Sequence, residues 1–271
     1  MPLPLPELFP DEDYRFHLTL RKGNLGGFFG SPKAEILAER RLWLQSEPGR
    51  YAAVTDEAEP LLDEIDSMAA GWSPELAARP PANETLSERM IALGRSLEPD
   101  LLFLSRDNQG AFRLRAGVVC FPSSWVLEEK MGLTMDEIHG PVPGLNAAIG
   151  APIGQFLGKL KPGAPFERAN WGLAATPDLN MHPNLRRPRL GSPLDLGKVW
   201  VRIEDQILAA LPLTGGILFG IQVRVLPLME IMSEANLRAG FHRAVATMPE
   251  PLAAYKGMSA IRDELLAVLN D

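Results

Sequence analysis

Residues Ala116–Asn146 read AGVVCFPSSWVLEEKMGLTMDEIHGPVPGLN, and the chain is built around them. The apolar run Gly117–Phe121 reads as strand and is halted by Pro122, which has no N–H to offer a ladder. An amphipathic helical turn is expected from Trp125 to Met131 and a second short helix from Met135 to His139. Gly140-Pro141-Val142-Pro143 stops that helix abruptly. His139 is thereby left in a last helical turn beside a rigid extended segment, and the rest of the chain reads as the walls of the pocket it faces.

Before this stretch, residues 1–97 read as mostly helical. A Pro-rich lead is followed by a strand candidate at Phe16–Leu20 and a loop containing Gly26-Gly27. Ser31-Pro32 opens a helix that runs to about Leu44. Glu57–Ala70 carries Leu61, Leu62, Ile65 and Met68 at helical spacing. After a break at Pro80-Pro81, Glu84–Leu97 repeats that pattern. Asp100–Ser105 and Phe112–Cys120 then read as strands joined by a turn at Asp107-Asn108-Gln109-Gly110.

Beyond Asn146 the spacing predicts a weakened helix over Ala147–Leu160 and strands at Phe166–Ala174, Lys198–Ile203 and Ile217–Leu226. Thr176–Gly191 is a Pro-rich loop. Two helices close the chain, Leu228–Met248 and Pro251–Leu269. Strands that follow one another through hairpins and loops, with helices gathered at the ends, give an α+β fold with an antiparallel sheet. The division expected is one domain over 1–271, with a helical part at 1–97, a sheet core at 98–228 and closing helices at 229–271.

With 271 residues the chain is long enough to bury a full core. Its 27 basic and 34 acidic residues give a net charge of -7, which argues against a nucleic-acid partner. No apolar stretch approaches the ~18 residues of a membrane span, and the opening lacks a basic region before Arg15. A single cysteine, Cys120, excludes an internal disulfide and a site of several thiolates. A cytoplasmic setting is expected.

His139 is the first candidate for chemistry. At a helix C-terminus an imidazole is favoured as a cation, yet as a neutral base it is the usual axial ligand of haem iron. The plainer role is to neutralise the helix end and bond a carbonyl. His182, in Asn180-Met181-His182-Pro183, is a second ligand, a pocket wall or a surface-loop residue. His17 and His242 have no neighbours that suggest a role. Without an HxxxH or HxH pair, no protein-only zinc or copper site is expected. Cys120 sits in an apolar run with nothing to lower its pKa, so it is rejected as a haem ligand.

Trp200, Arg202 and Glu204 share one strand face, with Val199, Val201 and Ile203 on the other. Arg202 and Glu204 suit the orientation of a polar substrate or a propionate, or equally a surface ion pair. Arg168 and Asn170, with Trp171 one face over, form a similar polar-aromatic set. The chain has no GxGxxG turn, no GxxxxGK[ST] and no GxSxG, so no nucleotide site is expected within it.

Several of these segments resemble the alpha subunit of haem-dependent oxidative N-demethylase, also called dimethylamine monooxygenase. They are Asp100–Leu104, Ala116–Trp125, Glu129–Gly132, Ile138–Pro143, Arg168–Trp171 and Arg202–Pro212 leading into Gly216–Phe219. CFPSSW and IHGPVP, in this order and at this separation, are the most specific of them. The resemblance spans roughly Phe28 to Leu228 and departs from the family pattern at Glu98-Pro99, Ser124 and Gln222-Val223-Arg224.

The resemblance implies a PAS-like antiparallel fold that binds haem b. It implies O₂-dependent oxidation of a small secondary amine, dimethylamine or similar, with release of formaldehyde. Electrons would come from separate flavin and iron–sulfur reductase subunits. His139 becomes the iron ligand, and Arg202, Glu204, Asn170 and Trp171 become candidates for the pocket, Arg202 and Glu204 as its catalytic groups. His182, read from its loop alone, stays the other candidate for the iron or the cofactor pocket. The alternative is a PAS-like haem or small-ligand sensor without catalysis. A sensor would pass its signal to an output segment, and none is expected after Leu269.

Overall fold

The two longest strands form a hairpin that fixes the centre of the molecule. β6 (Trp200–Ala210) pairs with β7 (Ile217–Pro227) from Trp200↔Pro227 to Ala210↔Ile217, and Gly215 (φ 67°) supplies the turn. The side chain of Glu64 fixes that turn by accepting from the N–H groups of Leu213 (2.6 Å) and Thr214 (2.9 Å). The chain is described from a computed structural model that covers residues 2–16, 19–78 and 84–270.

Around this hairpin lie β1 (Arg21–Lys22), β2 (Ala52–Val54), β3 (Asp100–Arg106), β4 (Phe112–Val118) and β5 (Phe166–Ala174). The seven strands make one sheet in the order β1-β5-β6-β7-β3-β4-β2, every pair antiparallel. The fold is α+β, with helices before and after the sheet strands in sequence, as composition and spacing led one to expect.

One sheet face carries two helical layers. The N-terminal helices, which include Ala34–Ser46, Glu59–Ala69 and Leu86–Ser96, pack Leu44, Leu62, Ile65 and Leu93 on Leu101, Phe103, Val118 and Leu218. The C-terminal helices pack Leu228, Leu237, Phe241 and Leu265 on Ala169, Trp171, Val201 and Ile203. Each fully buried Leu, Ile or Phe removes enough apolar surface to contribute about 1.5–3 kcal/mol.

The opposite face is covered by residues 119–160. Leu127, Trp125, Met131 and Ile138 lie on Leu102, Leu114, Ile221 and Val223, while Ile153 and Leu157 lie on Leu104 and Ile217. Gly117 permits this close approach: a Cβ there would stand 2.8 Å from Leu102 and 2.9 Å from Leu127. The cover is anchored where it leaves β4, since Asp100 accepts from the N–H groups of Cys120 (2.7 Å) and Phe121 (3.0 Å).

Several elements differ from the sequence expectation. Trp125–Met131 holds only a 3₁₀ turn at Glu128–Lys130. The loop around Gly26-Gly27 is a short helix, Leu25–Phe29, whose Asn24 cap accepts from Gly27 N–H. β6 runs far past Ile203, because Glu204, Asp205 and Gln206 each find a polar partner inside the sheet and so do not end the strand. The helix expected over Leu228–Met248 breaks between Met232 and Ala235, and the one over Pro251–Leu269 breaks at Gly257 (φ 71°). The strand expected at Phe16–Leu20 includes His17 and Leu18, and those residues, like Pro80-Pro81, lie outside the described ones.

Candidate functional site

β5 and β6 bring a polar patch to the covered face. Their register sets Arg168 opposite Gln206, Asn170 opposite Glu204 and Gly172 opposite Arg202, all on the side away from Trp171. The space over this patch is open at its centre: a Cβ built on Gly172 would meet nothing within 4 Å. Asn170 is exposed to it.

Ser123, in the turn after Pro122, ties the cover to this patch. Its hydroxyl accepts from Arg202 Nε (2.8 Å) and donates to Glu204 Oε1 (2.5 Å). Arg202 Nη2 donates to the Phe121 carbonyl (2.7 Å) and Nη1 to the Asp178 carbonyl (3.3 Å). These bonds make Arg202, which is buried, the clamp for the Phe121–Ser123 turn. Glu204 accepts at Oε2 from Gln206 Nε2 (3.0 Å) and pairs with no cation among the described residues.

His139 closes a helix that is determined locally. Thr134 and Glu137 form a reciprocal capping box at the start of Met135–His139, and Gly140 ends it. The His139 carbonyl accepts from Val142 N–H (2.9 Å), which folds the Pro141-Val142-Pro143 segment back against the helix end. The ring is half-buried, and its Nδ1 is buried without a hydrogen-bond partner. Burial first, then the charge of Arg168, hold the imidazole below its ordinary 6.5, and Asp136 offsets them only in part. His139 is therefore favoured as a neutral imidazole at pH 7, with an Nδ1 that no described group engages.

His182 is built differently. Its Nδ1 accepts from Asn184 N–H (3.2 Å), its ring lies edge-on to Tyr51, and its backbone N–H donates to Asn180 Oδ1 (3.0 Å). With Nδ1 accepting, the neutral ring carries its proton on Nε2, which is buried and unpartnered. Trp171 points to the other side of the sheet, packed against Phe9 and Phe241. Arg202 and Glu204 thus meet through Ser123, Asn170 lies across from Glu204, and His139 feels Arg168 of the same patch, whereas the Trp171 ring faces the other side of the sheet and the His182 ring packs on Tyr51. Cys120 is fully buried, and burial pushes its thiol up to about 12.

Three residues complete the region that the sequence did not single out. Lys256, after the helix Glu250–Tyr255, donates from Nζ to the Trp171 carbonyl (2.5 Å) at the open edge of β5. Burial chiefly, opposed by Glu204 and aided by Arg168, lowers it to about 8. Tyr14 lies in electrostatic contact with Arg168, and burial raises its phenol. Ser123 was visible only as part of a motif, because its two partners are 79 and 81 positions away.

A haem suits this donor set. Among the described residues no group of three His, Cys, Asp or Glu could hold a bare metal ion. A lone neutral imidazole matches a metal that brings its own macrocycle. The space over Gly172 is unfilled, and Val223, across from Glu204 on the neighbouring strand, adds an apolar side chain to the same sheet face. No helix is long and apolar enough to cross a membrane among these residues.

A comparison with protein families agrees with this chemistry. The family model described as haem-dependent oxidative N-demethylase, alpha subunit-like, matches residues 38–266 and so covers most of the chain.

Proposed function

We propose that this chain, which belongs to the haem-dependent oxidative N-demethylase alpha-subunit-like family, binds haem b through His139 and oxidises a small N-methylated amine with O₂. The observation that carries the assignment of the ligand is the unpartnered, neutral imidazole of His139 beside the open polar patch. His182 is the weaker choice, because the lone pair of its Nδ1 is already taken by Asn184.

Bound there, haem supplies the redox chemistry with O₂ that turns an N-methyl group into a carbinolamine, at the expense of two electrons and two protons per O₂. The carbinolamine then collapses to the demethylated amine and formaldehyde. The electrons come from separate flavin and iron–sulfur reductase subunits, a role consistent with an alpha-subunit family. Counted from Asp100, the five long strands lie in the order 2-1-5-4-3, which supports the PAS-like reading.

The protein's own groups have separable tasks. Glu204 is the carboxylate of this patch and takes the N–H of the ammonium substrate, with Asn170 directly across from it to orient the polar end. Ser123 Oγ hands its proton towards Glu204 Oε1. Arg202 acts indirectly as a positioning residue, by holding Ser123 and the carbonyl of Phe121. Trp171 braces β5 from behind. The cover, with Trp125, Met131 and Ile138, keeps water from the apolar side.

Protein expressed with a haem precursor tests this. A Soret band is expected, lost in His139→Ala and kept in His182→Ala. Formaldehyde release from dimethylamine with an artificial reductant is the expected activity. A colourless protein that fails to take up added hemin overturns the assignment, and haem uptake with no formaldehyde from any small N-methylamine leaves the sensor.

A further inference from the structure

We infer that Arg168 and Lys256 form a carboxylate-binding pair at the open edge of β5, and that the carboxylates they take are the two propionates of haem. This rests on the haem reading above and adds where the anionic edge of the group lies.

The two cations lack counter-charges. Arg168 is half-buried on the polar patch, opposite Gln206, yet its guanidinium makes no hydrogen bond or ion pair among the described residues. Its electrostatic neighbours are Glu204 and Tyr14, which counter a burial that disfavours its charge. Lys256 is half-buried too; its single hydrogen bond goes to a neutral carbonyl, that of Trp171, whose ring its ammonium also faces at 5.4 Å, and it has no ion pair among the described residues. An unpaired guanidinium and an unpaired ammonium side by side are costly, and folded proteins rarely keep such groups without a partner.

The local charge count fixes the sign and size of what is missing. Arg168, Arg202 and Lys256 all feel Glu204, the one carboxylate they share. Of the three, Arg202 alone is linked to Glu204 by hydrogen bonds, through the Ser123 hydroxyl, and it also feels Asp100, so its charge is met by carboxylates already present. Two cations remain, and haem carries two carboxylates on one edge. Arg168 also lies close enough to His139 to lower its proton affinity, so an iron ligand and an anion anchor occur in one neighbourhood. A planar guanidinium is well suited to grip a carboxylate with two donors.

A carboxylate on the substrate, as in an N-methyl amino acid, has the same chemistry as a propionate, and the ester of haem separates them. Hemin and hemin dimethyl ester are titrated into wild type, Arg168→Gln, Arg168→Lys and Lys256→Met, with the Soret change as readout. Wild type should prefer hemin. Arg168→Gln and Lys256→Met should each weaken hemin by about ten- to a hundredfold and leave the ester unchanged, with Arg168→Lys in between. Variants that bind hemin as wild type does overturn the inference while the haem reading stands, and assign the cations to an anionic substrate. Equal losses for hemin and ester also overturn it, since they report a damaged pocket. Wild type that binds neither porphyrin removes the haem reading, and this inference with it.

Discussion

Replacing Arg40 with methionine should cost this fold about 3–5 kcal/mol, the usual cost of stranding one charge of a buried pair. Arg40 is fully buried, donating from Nε to the Gly94 carbonyl (2.7 Å) and from Nη1 to Asp100 Oδ1 (2.6 Å). Its guanidinium also faces the ring of Phe121 at 5.5 Å. Methionine keeps the volume and removes the charge, so the loss isolates electrostatics from packing. Asp100, itself 2% exposed, would keep its bonds from Cys120 and Phe121 N–H but lose its counter-ion. Such a loss is a fifth or more of the ~5–15 kcal/mol that holds a typical domain folded. Urea unfolding followed by tryptophan fluorescence measures it, and Asp100→Asn should be comparably destabilising. The double variant should fall short of the sum by about 0.5–3 kcal/mol, because neither charge is then stranded. A single-variant loss below about 1 kcal/mol, or strict additivity, would refute the reasoning.

Gly172→Leu places a side chain in the open space over the polar patch, so hemin affinity should fall about tenfold or more while stability changes by under about 1 kcal/mol; unchanged hemin binding would mean the group sits elsewhere. Lys256 is lowered to about 8 against 10.5 in the unfolded chain, chiefly by burial, so between those values the unfolded state binds more protons and stability rises with pH. Lys256→Met should therefore melt higher than wild type at pH 7, with an advantage that shrinks as pH climbs from 8 towards 10.5; a constant offset across that range would contradict the cause. Cys120, raised to about 12, should ignore a disulfide reagent in the native protein at pH 8 and give one equivalent of reaction in urea.

What the residues alone determined was whatever depends on near neighbours. Phe166–Ala174 alternates around Asn170 and Trp171 and forms β5 with those bounds, and Met135–His139 is helical because Thr134 and Glu137 cap it and Gly140 ends it. The Asp107–Gly110 turn was legible for the same reason, with Asp107 accepting from Gln109 and Ala111 and Gly110 at φ 85°. Strand parity already set Asn170 apart from Trp171. The haem family was legible as well, through CFPSSW and IHGPVP.

Tertiary structure alone decided which side chains meet and which remain free. Lys256 lies 85 positions from Trp171, and no local pattern announces that its ammonium ends on that carbonyl. Arg202 and Glu204 look alike as strand neighbours, yet the turn after Pro122 uses up the donors of the first and meets the second only through Ser123. His139 and His182 are both plausible ligands in a sequence, and only a backbone N–H two residues from His182 separates them. Propensity and spacing act over a few residues. Lone pairs and counter-charges are allotted by sheet register and by chain crossings that span a hundred residues or more.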